Sequence, residues 1–524
     1  MFTEDFYDAC DEMGILLSIE FPAGNCIIEE DEDIVAHWSK VVTDMVKLLR
    51  NHPSIIEWSG GNEMGWQQDT VHPALTATRA IIAEEDGRYF RATCPSQGVR
   101  HAPWDYNSAV HYKIYNDENM RDQTGTYPML RNGEFGTQTA GNVELLKRTI
   151  PPASRFPIDK EDPVLIRKNM IRAAFNDEVW LMPDNIERLF GKAETFEELI
   201  ATSQWMGAEG LRYAYDSLRW RMNMGGFTSW CFNEPWPNGA GSYLVDHDGR
   251  PVHMFYGVAQ AMKPISLCLK YDAVLFDLFD GLEAELILCS DAPEPAAGLQ
   301  WRYILRDRHG DVYRTGEGTA EIAMLEAKSL GRVRIEPALA LKTGPVIMEL
   351  YLNDADGRRL GERLYVFGAQ GARAPLAGLF KEGLPDPEFG TPPTYTGMMG
   401  GSVKRTALRA EVRSHRADGE RETLVLRVEN TGGMTALYVE THPLLLYRTD
   451  LTFSEQFGFI PQGGVPGHHD HRAAAGGSDA GADRLVRYRI QRGDGRGAAA
   501  GRGALDGAAG PDVRRLCRVR RHIG

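Results

Sequence analysis

Two glutamates in this chain stand where a reacting pair would be expected. Glu63 lies in SGGNEMG, directly after the apolar run Ile55, Ile56 and Trp58, and Glu134 lies in RNGEFGTQ. In both places a strand-like run ends in a glycine-containing turn that carries one acid. Taken singly, such an acid reads as a solvated loop carboxylate, and Gly-Gly-Asn is ordinary turn chemistry. Repetition of the design changes the reading, because acids at the C-terminal ends of parallel strands share the rim where barrels assemble their sites. Two carboxyls on one rim suit glycoside hydrolysis, in which one protonates the leaving oxygen and the other attacks the anomeric carbon. Side chains suited to a sugar crowd the same expected rim. Trp66, His111, Tyr112, Trp230 and Trp236 offer flat faces, and Asn62, Asn233 and Glu234 offer hydrogen bonds. Core packing is the alternative for each ring except Trp230, which TSWCFNEPWP carries to the end of a strand.

The elements that must position these residues follow from hydrophobic spacing. From residue 1 to about 265, short apolar strands alternate with helical stretches, the pattern of an α/β domain with a parallel sheet. FYDACDEMG predicts a helix with Phe6, Cys10 and Met13 on one face, stopped by Gly14, and ILLSIEF over 15–21 predicts a strand. Val35, Trp38, Val42, Met45 and Leu49 recur at helical spacing across 34–50. YFRATC, AVHYK, YPMLRNGEFG and GGFTSWCFNEP read as further strands, with a long amphipathic helix over about 202–222 ahead of the last. Beyond Pro264, LEAELILCS, LQWRYILRD and VIMELYLND predict a β-sandwich over 266–370. Residues 371–404 read as a linker or long loop, and TLVLRVENTGG and ALYVETHPLLLYR open a second, incomplete sandwich over 405–467. Residues 468–524 predict a disordered tail rich in Ala, Gly and Arg, without Lys or Glu. That composition is also what a GC-rich gene gives out of frame, so a frame shift near 463–470 is expected, with a genuine extension as the alternative. The other two frames of the DNA decide between them.

FYDACDEMGILLSIEFP, RNHPSIIEWSGGNE, NGEFGTQ, SQWMGAEGLRYAYDSLRWRM and SWCFNEPWP resemble glycoside hydrolase family 2, in the order that family uses. The run DHDGRPVHMFYGVAQAMKP and the helix SQWMGAEGLRYA are most similar to its β-mannosidase and exo-β-glucosaminidase branch. The resemblance covers about residues 2–265 strongly and the sandwiches weakly. It implies a (β/α)8 TIM barrel followed by immunoglobulin-like sandwiches, and a retaining exo-glycosidase acting on terminal β-linked sugars. It implies Glu63 as general acid/base, Asn62 as the amide that binds the substrate 2-hydroxyl, and Glu134 as nucleophile. Tyr112, with Tyr115 as rival, would hydrogen-bond the nucleophile from the preceding strand, and Trp230 would floor the sugar subsite. A β-galactosidase or β-glucuronidase on the same scaffold is the alternative enzyme, and an inactive carbohydrate-binding remnant the alternative of another class. The chain departs from the family at Gly133, where Ser is common. The family also carries two β-domains and two barrel strands ahead of FYDACDEMG, so strands 3 to 8 of an incomplete barrel are expected here.

Bulk properties fit that reading and exclude others. A chain of 524 residues exceeds one compact core, and 43% hydrophobic with 25% charged residues is globular composition. A formal net charge of −15 disfavours nucleic acid and anionic membrane as partners, and no run approaches the roughly 18–20 apolar residues of a membrane span. Cys10, Cys26, Cys94, Cys231, Cys268, Cys289 and Cys517 form no CxxC pair, so neither a zinc site nor a disulfide framework is expected. His468, His469, Asp470 and His471 read as incidental, and no cofactor or metal is expected. The N-terminus is polar and acidic, with no signal peptide, which leaves the cytoplasm as default localisation, although Met1 is not read as the natural start. The expected partner is an oligosaccharide or glycoside, with oligomeric state undetermined.

Overall fold

The computed structural model describes residues 2–24, 28–64, 72–101, 103, 108–171, 181–190, 192–221, 224–277, 281–307, 310–336, 346–370, 407–418, 421–431, 436–443, 451–453, 458–460, 483–491 and 517–520. The chain divides into two compact units, one of residues 1–103, 117–135 and 223–230, the other of residues 104–116, 136–222 and 231–524. The expected linker, His468 to His471, Trp66 and the suspected frame-shift junction lie outside the described residues. Among the described residues no helix is long and apolar enough to cross a membrane.

The first unit alternates helices and parallel strands. Helix α1 (Glu4–Met13) ends at Gly14, whose φ of 70° is the left-handed conformation that closes a helix without steric penalty. Its buried face is Tyr7 and Cys10, whereas Phe6 and Met13 are exposed, so the expected face is rotated by one position. Strand β1 (Leu17–Glu20) leads to helix α2 (Glu32–Leu49), capped by the Asp31 carboxylate on the backbone N–H groups of Asp33 and Ile34. Trp38, Val42, Val46 and Leu49 form its buried stripe. Strand β2 (Ile55–Ser59), helix α3 (Pro73–Glu85) and strand β3 (Tyr89–Arg91) follow, and β1, β2 and β3 pair in parallel in that order. Strands β4 (Val99–His101), β5 (Arg131–Phe135) and β6 (Gly226–Ser229) make a second parallel sheet with β5 in the middle. Six parallel strands are thus present among the described residues of this unit. Its core joins Tyr7, Phe21, Trp38, Val42, Val46, Ile55, Trp58 and Phe90. Trp58 stacks on Phe21 with centroids 5.6 Å apart, and its indole N–H donates to Asp86 Oδ2 at 2.7 Å.

One expected strand of the sequence reading is a helix. AVHYK lies in helix α4 (Ser108–Asn116), within the second unit. Five residues are too few to separate alternation from helical spacing, and the His111 and Tyr115 rings meet edge-to-face at 4.8 Å, a pair one helical turn apart. The strand before β5 is instead the three-residue β4. In the same unit, helix α5 (Phe196–Arg219) is buried on every face rather than amphipathic. Its buried charges are paired: Glu209 with Arg212 at 2.5 Å, Asp216 with Arg363 at 2.6 Å and Arg219 with Asp291 at 2.7 Å. An unpaired buried charge would be far costlier.

Residues 265–370 form two sheets. One orders Leu275–Asp277, Arg359–Gln370, Val346–Asn353, Ala296–Arg306 and Val312–Ile322, and the other orders Glu326–Ile335, Leu282–Ser290 and Ile265–Lys270. Farther on, Leu408–Asp418, Arg421–Asn430, Asp483–Gln491 and Leu451–Phe453 share a sheet. Two strands fall inside the segment expected to be disordered. Asp483–Gln491 pairs antiparallel along Arg421–Asn430, and Cys517–Arg520 pairs with Ala436–Pro443. Val486, Tyr488 and Ile490 alternate with arginine and glutamine there, a strand pattern hidden in the Ala/Gly-rich average.

Trp58→Ala is expected to destabilise the first unit by about 3–5 kcal/mol, and Trp58→Phe, which keeps the stack and loses one hydrogen bond, by about 1–2 kcal/mol. Urea unfolding followed by circular dichroism measures both, and equal effects would contradict the packing argument.

Candidate active site

The rim of the first unit is built from backbone pairing that outlasts the strands. Past Ser59 the chain does not turn away. Gly60 N–H donates to Arg91 O at 2.8 Å, Asn62 N–H to Ala23 O at 2.8 Å, Glu63 N–H to Cys94 O at 2.7 Å, and Cys94 N–H to Gly61 O at 3.0 Å. Asn62 thereby bridges Gly24 on one side and Cys94 on the other, both in parallel. The fit is close enough to dictate the glycine: a Cβ on Gly61 would lie 2.5 Å from Ala23 O. Glu63 then takes a φ of 49°, uncommon for a residue with a side chain. The Gly-Gly-Asn run is therefore a clamp that aims Asn62 and Glu63.

Glu134 reaches the same rim from β5. Carboxylate oxygens of Glu63 and Glu134 and a ring nitrogen of His101 all lie within 4.8 Å of one another. His101, the last residue of β4, is the register partner of Glu134. Its Nδ1 is 3.0 Å from Glu63 Oε1 and 3.8 Å from Glu134 Oε2, and its Nε2 is 3.0 Å from Cys94 Sγ. Glu20, at the end of β1, accepts from the Ser59 hydroxyl at 3.2 Å and brings a third carboxyl to the rim. Below it Glu57 holds Arg91 at 2.9 Å and also pairs with Arg131.

This crowding separates the two acids. The hydrogen bond from His101 holds Glu63 below the usual carboxylate range, against an opposing effect of burial. Burial first, then the charges of Glu63 and Glu20, push Glu134 up to about 8. Near neutral pH the pair therefore holds one proton, on the Glu134 side, as neighbouring carboxyls cannot both ionise freely. Burial pushes the Cys94 thiol up to about 12, so it stays neutral and can donate to a ring nitrogen.

The other sequence-derived residues divide. Asn62 is beside Glu63, and its Oδ1 is buried without a hydrogen-bond partner among the described residues. Trp230 follows β6, its N–H donating to Phe135 O at 2.8 Å beside Glu134, with 41% of its surface exposed. His111 and Tyr112 belong to the second unit and are buried. His111 Nε2 meets Gly210 O at 2.9 Å, and Tyr112 packs edge-to-face on Tyr213 at 4.6 Å. Neither Tyr112 nor Tyr115 lies on the strand before Glu134, which is β4. Asn233 and Trp236 are exposed in the second unit, Asn233 bridging Val245. Trp66 lies outside the described residues. Sequence reasoning missed His101, Cys94 and Glu20. GVRH carries too short a strand to register, although the turn glycine Gly98 before it, at a φ of 75°, was a signal.

Residues 2–130 match the family model described as glycosyl hydrolases family 2, TIM barrel domain. A beta-mannosidase of Capra hircus is 30% identical over 175 residues, 28% of this chain and 20% of that protein. Beta-mannosidase B of Thermothelomyces thermophilus is 25% identical over 300 residues, 50% of this chain and 34% of that protein. The chain thus spans about a fifth to a third of these relatives' length. Among solved structures, a beta-D-mannosidase from Dictyoglomus thermophilum superposes with a TM-score of 0.65 at 17% identity, covering 93% of this chain and 52% of that one. The exo-chitosanase of Amycolatopsis orientalis gives 0.66 at 14% identity, covering 94% and 56%. These likenesses are of fold.

The raised Glu134 makes its ionisation a liability for folding. Its proton is kept in the folded state and lost in the unfolded state between the usual carboxylate range and about pH 8, so its contribution to stability falls as pH rises through that window. Glu134→Gln is expected to be more stable than the parent at pH 9, with the gap closing towards pH 4. Glu63 has the opposite sign: its contribution is present above the unfolded value and lost as pH falls through the lowered one. Melting temperatures of Glu134→Gln and Glu63→Gln beside the parent across pH 4–9 test this, and curves parallel to the parent would contradict it.

Proposed function

We propose that this chain, whose residues 2–130 match the family model described as glycosyl hydrolases family 2, TIM barrel domain, carries the catalytic centre of a retaining exo-β-glycosidase of the β-mannosidase type. The observation that carries the reading is the approach of the Glu63 and Glu134 carboxyl oxygens to within 4.8 Å on one rim. Retaining enzymes hold their carboxyl groups about 5–5.5 Å apart, whereas inverting enzymes leave roughly 6.5–9.5 Å for a water.

In this mechanism Glu134 attacks the anomeric carbon, the bond to the leaving oxygen breaks, and Glu63 gives its proton to that oxygen. Water then adds at the same carbon, returns a proton to Glu63 and releases Glu134. Asn62 hydrogen-bonds the 2-hydroxyl through its side-chain amide, and the exposed ring of Trp230 stacks on the sugar face. The proton that rests on Glu134 in the free protein has to pass to Glu63 before the first step, over a gap short enough for one bound hydroxyl or water to span.

The resting place of that proton favours a second reading in which the roles are exchanged, Glu134 as acid and Glu63 as nucleophile. A 2-deoxy-2-fluoro glycoside with a good leaving group traps the covalent intermediate, and peptide mapping reads which acid carries the sugar. Label on Glu134 is expected, label on Glu63 exchanges the roles, and no label on either removes the shared mechanism.

Glu63→Gln is expected to slow unactivated β-mannosides by about 10²–10⁴-fold and to spare the first step with nitrophenyl β-mannoside, which needs no proton. Glu134→Gln is expected to lose both. Initial rates on a panel of aryl β-glycosides, including mannoside, glucosaminide, galactoside and glucuronide, also rank the sugars, and a best rate on galactoside or glucuronide would replace the β-mannosidase assignment.

A further inference from the structure

His101 and Cys94 have no role in the reaction as proposed, yet both are buried directly behind it. Their placement depends on Gly133, the position at which this chain departs from its family pattern. A Cβ there would lie 2.7 Å from Cys94 Sγ, 2.9 Å from Val99 Cγ1 and 3.3 Å from His101 Nε2. A serine at 133 and the Cys94–His101 contact therefore compete for one space, and the chain has kept the contact.

A neutral imidazole has one donor and one acceptor nitrogen, and a hydrogen bond at one fixes the other. The thiol of Cys94, kept neutral by burial, can donate S–H to Nε2. That leaves the proton on Nδ1, which faces the Glu63 carboxylate at 3.0 Å. We propose that Cys94 and His101 are positioning residues that fix the Nδ1–H tautomer and so hold Glu63 ionised, placing the single proton of the acid pair on Glu134. This inference rests on the assignment of Glu63 and Glu134 as the reacting pair, in either order of roles.

Other charges face the relay and have to be counted. Glu20 stands on β1, Glu57 on β2, Arg91 on β3, Arg131 and Glu134 on β5, and the carboxylate of Glu57 is shared by Arg91 and Arg131. The arginines are thus already partnered, and His101 is the group that hydrogen-bonds Glu63. Loss of its donated hydrogen bond would raise the lower of the two pKa values of the pair and leave the upper one nearly unmoved. In a rate profile the lower value is the acid limb, below which both carboxyls are protonated and no nucleophile remains.

Two arms test the proposal, and only one needs activity. In the full chain labelled with 15N-histidine, the signal lost in His101→Leu identifies His101. At pH 7 it is expected to show the Nδ1–H tautomer, to keep it in Cys94→Ser, whose hydroxyl can donate likewise, and to lose it in Cys94→Val and in Gly133→Ser. An Nε2–H tautomer or an imidazolium in the parent protein at pH 7, or a Cys94→Val signal identical to the parent, overturns the proposal. In the second arm, the acid limb of kcat/KM on an aryl β-glycoside is expected to move up by about one pH unit in Cys94→Val and Gly133→Ser, and to stay in place in Cys94→Ser. Unmoved limbs in all three variants likewise overturn it. A parent protein inactive on every glycoside defeats the glycosidase reading alone, and the tautomer arm still decides the placement of the proton.

Discussion

The parallel backbone pairing that continues through residues 60 to 63 is the constraint on which the rest of this site depends. A strand that ended at Ser59 would leave Asn62 and Glu63 on a free loop, with entropy to lose on every encounter with a ligand. Instead, hydrogen bonds to Ala23 on one side and to Arg91 and Cys94 on the other hold the segment as part of the sheet. The tight glycine, the positive φ of Glu63 and the buried Oδ1 of Asn62 are consequences of that clamp. Trp58, buried one residue before Ser59 and stacked on Phe21, fixes the clamp to the core, so packing and site are one mechanical unit.

The clamp concentrates negative charge. Glu20, Glu63 and Glu134 converge from β1, the end of β2 and β5, and the nearby arginines are engaged by Glu57. The unit accommodates this by giving the three acids unlike surroundings: a hydroxyl for Glu20, an imidazole for Glu63 and desolvation for Glu134. Acids of similar type are thereby driven to different protonation, the usual route by which two carboxyls acquire two roles. Within the second unit the charges meet the opposite treatment. Asp216 with Arg363 and Glu209 with Arg212 are buried and matched one to one, which suits a structural helix.

The sequence by itself determined the parts that local chemistry dictates. Apolar spacing marked helix α2 and the strands that carry Glu63 and Glu134, Gly14 marked the end of α1, and the repeated acid-bearing turns marked one rim. Those signals are local because a period of 3.6 or 2 is written in a few consecutive residues. Where the window was too short the reading failed, as at AVHYK, which is helix α4, and at Val99–His101, a strand of three residues. Composition failed in another way: averaged over the Ala/Gly-rich tail, it hid the strand Asp483–Gln491. Only the tertiary structure decided that His101 and Cys94 stand behind Glu63, that Gly133 makes room for them, that Tyr112 is buried in the second unit, and which acid keeps the proton. These depend on distances between residues tens of positions apart, and a pKa is set by the charges and solvent around a group rather than by its neighbours in the chain.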